Sequence, residues 1–199
     1  VARDDLPGLT VAEALRDSSL WRVAIATLLI LAITIAVTVH QFPIIVDAGM
    51  SRGEAAWIGS LVGIAGIVGK LTTGWLLDRY HARWIGGITL ASTAIAYPLL
   101  IKGVSTPPLI ILAMMVSGYA AGTKIQICNY LTARYAGLRN FGTIFGFMAS
   151  MIALAGAIGP IIGGIAYHQS GSYAPLLWGG TVISLVSAAL IFSLGRYPE

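Results

Sequence analysis

Gly69-Lys-Leu-Thr-Thr-Gly74-Trp-Leu-Leu-Asp78-Arg79-Tyr-His-Ala-Arg83 ends an apolar run that opens near Ala55. Apart from Lys70, its charges are crowded into the last six residues. A run of about 20 apolar residues matches the hydrocarbon thickness of a bilayer, and a charged end marks where it leaves the lipid. The rest of the chain repeats this pattern. It is 57% hydrophobic and only 10% charged, with mean hydropathy +0.84. A soluble domain carries about 25% charged residues, so most of the surface that water would solvate is missing.

Six apolar runs are expected to cross the membrane, at about 21–45, 55–77, 84–101, 108–131, 141–167 and 175–194. Polar/apolar alternation of the barrel kind is absent from them, so the spans are read as helices. Residues 1–18 are polar and read as a cytoplasmic linker. Thr10-Val-Ala-Glu13 has capping-box spacing for a short helix there, at the membrane surface or in a plain solvated tether. Ser51-Arg-Gly-Glu54 repeats that spacing at the start of the second run. The remainder, 19–199, is one six-helix unit. Because the first residue is Val1 and Asp4, Asp5 and Glu13 precede the first run, the start reads as a cut inside a longer protein, not as a signal peptide.

With both ends inside, the cytoplasmic side holds Arg3, Arg16, Arg22, Arg79, Arg83, Arg134, Arg139 and Arg196, and the outside holds Arg52 and Lys102. This bias satisfies the positive-inside rule, so the net charge of +4 needs no nucleic-acid partner. The expected location is a cell membrane (plasma or bacterial inner), crossed several times. Cys128 is the single cysteine, which excludes an intrachain disulfide and gives no ground for a metal or other cofactor.

The second and fifth runs share a pattern. Ala65-Gly66, Gly69 and Gly74 match Ala155-Gly156, Gly159 and Gly164 at constant offset. The two runs stand three spans apart in order, so they cross in opposite directions, as a 3+3 inverted repeat requires. Gly156, Gly159 and Pro160 are read as packing and bending positions of the fifth helix.

Gly74, Asp78, Arg79 and Arg83 fit the form G-x-x-x-D-R-x-x-x-R. The stretch thereby resembles the loop motif between the eighth and ninth helices of major facilitator superfamily transporters. His40-Gln-Phe-Pro43 through Asp47-Ala-Gly49, Arg134-Tyr-Ala-Gly137-Leu-Arg139-Asn-Phe-Gly142, and Gly159-Pro160 with Gly163-Gly164 and Tyr173 resemble its monocarboxylate and oxalate/formate branch. The resemblance covers roughly residues 9–195. It implies an all-α polytopic membrane protein whose six transmembrane helices form one half of a major facilitator fold. It also implies alternating-access transport of small organic anions, monocarboxylate-like, coupled to protons (symport) or to counter-anion exchange (antiport). The implied partners are the N-terminal six-helix half of the same transporter, the lipid bilayer and the anion. Efflux of drugs or other metabolites on the same fold is the alternative, because fold does not fix substrate.

A charged side chain inside a span costs several kcal/mol and by default faces a cavity or the bundle interior. Lys70 and Lys124 are such residues, without an acid in the apolar runs, and are candidates to meet the anion. In the branch resembled, an arginine often stands at the Lys70 position and meets the substrate carboxylate. Lysine lacks its bidentate fork, which argues against dicarboxylates. The bland alternatives are snorkelling of Lys70 to the cytoplasmic face and a structural contact of Lys124 with backbone carbonyls. Gln126 and Asn129 extend a polar lining, or serve as interhelical hydrogen-bond glue. The resemblance gives Asp78, Arg79 and Arg83 a gating role at the cytoplasmic side; topology signalling alone explains the two arginines but not the aspartate. His40, near the outer end of its span, is a candidate for proton coupling against the alternative of plain solvation. An intramembrane hydrolase needs a nucleophile with a base in reach. His40, His81 and His168 all lie at span ends and no Gly-x-Ser-Gly occurs, so the chain is not read as an enzyme.

Overall fold

The helices begin where side chains satisfy amides that have no partner one turn earlier. In the computed structural model, which describes residues 7–104, 106–195 and 197, Thr10 and Glu13 close a capping box that opens the short α1 (Val11–Ala14). Asp17 accepts from the amides of Ser19 and Leu20 and starts α2 (Ser18–Val39). After a break at His40 the chain continues as α3 (Gln41–Asp47). Ser51 and Glu54 form a second capping box at the start of α4 (Arg52–Leu77). Beyond it come α5 (Ala82–Ala96), a 3-10 turn at Pro98–Leu100, α6 (Pro107–Ala136), α7 (Phe141–Ser170) and α8 (Ala174–Phe192). Of the basic residues expected at one end, Arg3 and Arg196 lie outside the described residues, as do residues 1–6 of the linker.

Proline explains where two expected spans differ from the helices. Pro43 has no amide, and its ring crowds the carbonyl four residues back, so the helix breaks between Val39 and Gln41. Pro98 likewise stops α5 at 15 residues, about 22 Å at 1.5 Å per residue, and Leu100 and Ile101 finish the segment with 3-10 hydrogen bonds. By length and composition, five helices among the described residues suit a membrane crossing: α2, α4, α6, α7 and α8. Pro160 sits inside α7 without ending it. The residue four positions earlier is Gly156, which carries no side chain to add to the crowding of the ring.

Three pairs dominate the packing: α2 on α7, α4 on α6, and α5 on α8. Around them, α2 also packs on α8, α5 on α6, and α2 on α6. Glycine permits the closest approaches. A Cβ at Gly159 of α7 would come within 2.6 Å of the Ala32 carbonyl oxygen of α2. A Cβ at Gly69 of α4 would collide with the Tyr119 carbonyl of α6, and one at Gly122 of α6 with the Gly66 carbonyl. Gly156, by contrast, has open space where its Cβ would stand.

Two apolar clusters fill the bundle, one toward the described termini and one toward the opposite end. Val23, Leu131, Met148 and Ile191 belong to the first, and Ile44, Ile58, Met114 and Leu177 to the second. Between them lies a buried polar belt of Thr34, Thr93, Lys124 and Ser184, one residue each from α2, α5, α6 and α8. The Thr93 hydroxyl donates to Ser184 Oγ at 3.1 Å, which holds α5 to α8 within the belt.

At the end where α2 begins and α8 ends, backbone and aromatic contacts fix the loops. Leu9 donates its amide to the Ala136 carbonyl and Leu138 donates to that of Pro7, pairing Gly8 with Gly137 in an antiparallel bridge. Gly8 (φ 145°) and Gly137 (φ 68°) both have left-handed φ and press against each other where side chains would stand. The C-terminal segment is held similarly. Arg22 Nη1 donates to the Ser193 carbonyl, Arg83 Nη1 to that of Leu194, and the Tyr135 hydroxyl to that of Gly195. Tyr197 stacks on His81 with ring centroids 4.0 Å apart, lies under the Arg134 guanidinium, and accepts the Ala82 amide hydrogen.

Two expected outcomes follow from this packing. Gly159→Leu drives a side chain into the α2 backbone and is expected to destabilise by about 1–3 kcal/mol or more, whereas Gly156→Ala changes little. Thermal unfolding in detergent checks this, and equal losses would contradict it. Burial, and then the charges of Arg83 and Arg134, hold His81 below its ordinary value of 6.5, and its Nδ1 accepts the Arg83 amide hydrogen as the cap of α5. As pH falls, the unfolded chain takes up this proton first, so the stability contributed by the neutral ring is complete well above pH 6.5 and is lost below it. The midpoint of unfolding is expected to fall more between pH 7.5 and 5.5 in the unsubstituted protein than in His81→Asn, which keeps a capping acceptor that does not titrate. Parallel pH profiles would assign the loss elsewhere.

Candidate functional site

A cleft of about 520 Å³ opens between α2, α4 and α6. Its walls approach closely because Gly66 of α4 faces Gly118 and Gly122 of α6, without side chains to fill the space. Apolar residues form much of the lining, among them Val37, Val62, Ile67, Met114 and Ile125. The polar lining is Thr34, Thr38 and Gln41 near one end of α2, Lys70 on α4, and Ser117, Gln126 and Asn129 on α6, with Tyr97 beside Thr34.

The structure brings three sequence candidates together in this cleft: Lys70, Gln126 and Asn129. Lys70 is exposed, with no hydrogen bond or ion pair to another described residue. Gln41 Oε1, Ser117 Oγ, Gln126 Oε1 and Asn129 Oδ1 are all buried atoms without a hydrogen-bond partner. A buried polar atom left unpaired costs about 1–3 kcal/mol, and four in one cleft mark a surface suited to a polar ligand. The lining holds one cation and no carboxylate. Sequence reasoning did not single out Gln41, Ser117 or Tyr97. Two of them sit among apolar residues at helical spacing, and Gln41 stands beside the break at His40.

Lys124 lies elsewhere. It is 3% exposed and points into the bundle between α2 and α6, where Nζ donates to Thr34 Oγ1 at 2.6 Å. Thr34 in turn donates to the Ile30 carbonyl at 2.6 Å and lines the cleft on its other side. The lysine therefore stands one hydroxyl behind the cleft wall.

The loop residues form a second group. Gly74 faces Gln126, whose amide nitrogen would lie 3.6 Å from a Cβ at that glycine. Asp78 caps α4 and is exposed, and among the described residues its carboxylate makes no ion pair. Arg79 lies 4.0 Å over the Trp75 ring, and Arg83 reaches the Leu194 carbonyl. His40 sits at the far end, outside the cleft lining. Its ring packs where a Gly163 side chain would be, 5.6 Å from the Tyr173 ring, and its Nδ1 is 2.9 Å from the Ala36 carbonyl oxygen. That carbonyl accepts only, so Nδ1 carries the hydrogen.

A family model described as Major Facilitator Superfamily matches residues 23–199. Monocarboxylate transporter 12 of Mus musculus is 27% identical over 159 residues, which cover 78% of this chain and 31% of that protein. The Homo sapiens protein of the same name is 24% identical over 164 residues, covering 79% of this chain and 31% of its own. A 4-hydroxybenzoate transporter of Acinetobacter baylyi is 25% identical over 147 residues, or 73% of this chain and 32% of that one. The chain spans about a third of the length of these curated relatives. With the match running through α2 to α8 and across the cleft, the chain belongs to the Major Facilitator Superfamily and resembles its monocarboxylate transporter branch.

Proposed function

We propose that this chain is the second six-helix half of a secondary transporter that moves small monocarboxylate-like anions across a cell membrane by alternating access. The observation that carries this reading is the cleft: a single unpaired cation, Lys70, among unpartnered amides and hydroxyls, with no carboxylate in the lining. An ammonium facing an apolar-walled cleft attracts a carboxylate, and the amide groups of Gln126 and Asn129 orient it. The apolar walls accept a hydrocarbon or aromatic body, in keeping with relatives named for monocarboxylates and for 4-hydroxybenzoate. Coupling to protons or to a counter-anion belongs to the same reading.

The helix pairing supports the 3+3 arrangement, with α5 and its 3-10 turn as the sixth crossing. Exchanging the first three spans with the last three turns α2 on α7 into α6 on α4, and α2 on α8 into α6 on α5, while α5 on α8 maps onto itself. The glycines follow: Gly69 abuts Tyr119 and Thr123 of α6, as Gly159 abuts Ala32 and Ala36 of α2. Only 22% of the apolar windows of α4 and α7 is buried, which leaves both helices free for the first half of the transporter. Arg16, Arg22, Arg79, Arg83, Arg134 and Arg139 share the end of the bundle that holds the termini, which supports a cytoplasmic placement of that end. There Asp78, Arg79 and Arg83 form the gate loop, and Asp78 is the charge available to a partner from the other half.

In the two-half transporter reconstituted into liposomes, Lys70→Gln is expected to lower kcat/KM for a monocarboxylate by about 100-fold, on the scale of removing a charge from a bound anion. Its unfolding midpoint should hardly move, because Lys70 is exposed and makes no hydrogen bond or ion pair to another described residue. Unchanged uptake would sink the anion reading. Preferential movement of lipophilic cations across the same liposomes would favour efflux of drugs or other metabolites on this fold.

A further inference from the structure

The cleft accounts for one lysine and leaves the other unexplained. Lys124 is buried in the polar belt, and no described carboxylate lies near it: Glu13, Asp17, Asp47, Glu54 and Asp78 all stand at helix ends or in loops. An ammonium has three hydrogens to donate, and Thr34 takes one. The void beside Lys124, walled by Thr27, Ile30, Leu90 and Cys128, is about 10 Å³, at the lower limit for holding one water. Among the described residues Thr34 is the one side-chain hydrogen-bond partner of Lys124, and the same threonine lines the cleft.

We infer that Lys124 is a positioning residue for the anion site, making the Thr34 hydroxyl a cation-backed donor to the carboxylate in the cleft. This rests on the anion reading given above. Without ligand, Thr34 accepts from Lys124, donates to the Ile30 carbonyl and is approached by the Tyr97 hydroxyl, which also lines the cleft. That carbonyl already receives the helical amide of Thr34, so losing the hydroxyl contact leaves nothing unsatisfied. The hydroxyl hydrogen turns about the Cβ–Oγ bond to a carboxylate oxygen, while the ammonium holds the hydroxyl oxygen in place. A chain of donors ending on a charge is stronger than a neutral hydroxyl alone, because each bond polarises the next. No bond is broken and no proton is transferred. When its amine carries the proton, Lys124 gives the cleft a second positive charge at a depth the substrate does not reach, which disfavours cations as it attracts anions.

The test uses the two-half transporter in liposomes with labelled 4-hydroxybenzoate and acetate as probes. Thr34→Val and Lys124→Met are each expected to raise KM about tenfold, with a smaller effect on kcat. The double variant should be no worse than Lys124→Met alone, because the two act as one unit. Thr34→Ser, which keeps the hydroxyl, restores KM to within twofold. Should a single variant fail to fold, the double variant, which replaces the polar pair by an apolar pair of similar shape, still carries the predicted loss. A purely structural role would lower the unfolding midpoint and leave KM of the folded fraction unchanged, and that result overturns the inference. Losses that multiply in the double variant overturn it as well. If the unsubstituted protein takes up neither probe, the anion reading falls and this inference with it. If Lys70→Gln abolishes uptake while the Thr34 and Lys124 variants keep their KM, only this inference falls.

Discussion

Direct backbone contact between α4 and α6 at Gly66 and Gly122 sets the geometry on which the cleft depends. Helices in lipid gain nothing from hiding apolar side chains from one another, so close approach has to come from small residues and from polar contacts. Gly66, Gly69, Gly118 and Gly122 bring the two backbones together. Gly66, Gly118 and Gly122 also leave space in the cleft that Lys70, Gln126 and Asn129 line. Packing and cavity are therefore one feature: any larger residue there pushes the helices apart and fills the space where a ligand would lie.

The polar belt answers a different demand. Four helices place a threonine, serine or lysine at one depth, and a hydrogen bond links α5 to α8 there as another links α6 to α2. Such bonds are worth about 1–2 kcal/mol each in lipid, and they also fix rotation about the helix axes. Rotating α6 would bring Lys124 out of the bundle and turn Gln126 and Asn129 away from the cleft. The cleft lining thus relies on contacts that sit behind it.

The all-helical fold was legible in hydropathy and in the side chains that start helices, with capping boxes at Thr10 and Ser51 where the spacing placed them. Breaks were less legible. Pro43 and Pro98 were visible, yet run length alone carried the expected spans through both, because hydropathy does not register a missing amide. For the site, charge within an apolar run picked out Lys70 and Lys124, but it could not separate a residue facing a cleft from one facing the core. They stand on different helices, and which side of each meets a neighbour depends on packing, of α4 on α6 and of α6 on α2. Ser117 and Gln41 escaped notice for the same reason, since a single polar residue becomes informative only when its neighbours across helices are known.

The buried lysine also bears on how the protein is made. A lysine near the centre of a span costs about 2.5–3.5 kcal/mol when that helix enters the bilayer by itself. α6, which carries it, has a hydropathy of 1.4, the lowest of the five long helices, while α2 stands highest at 2.4. During synthesis α2 emerges before α6 and can wait in lipid without it, whereas α6 gains its polar contact only by meeting Thr34. The hydrogen bond that stands behind the cleft wall thereby gives the two helices an order, with the earlier and more apolar one acting as the dock for the later one.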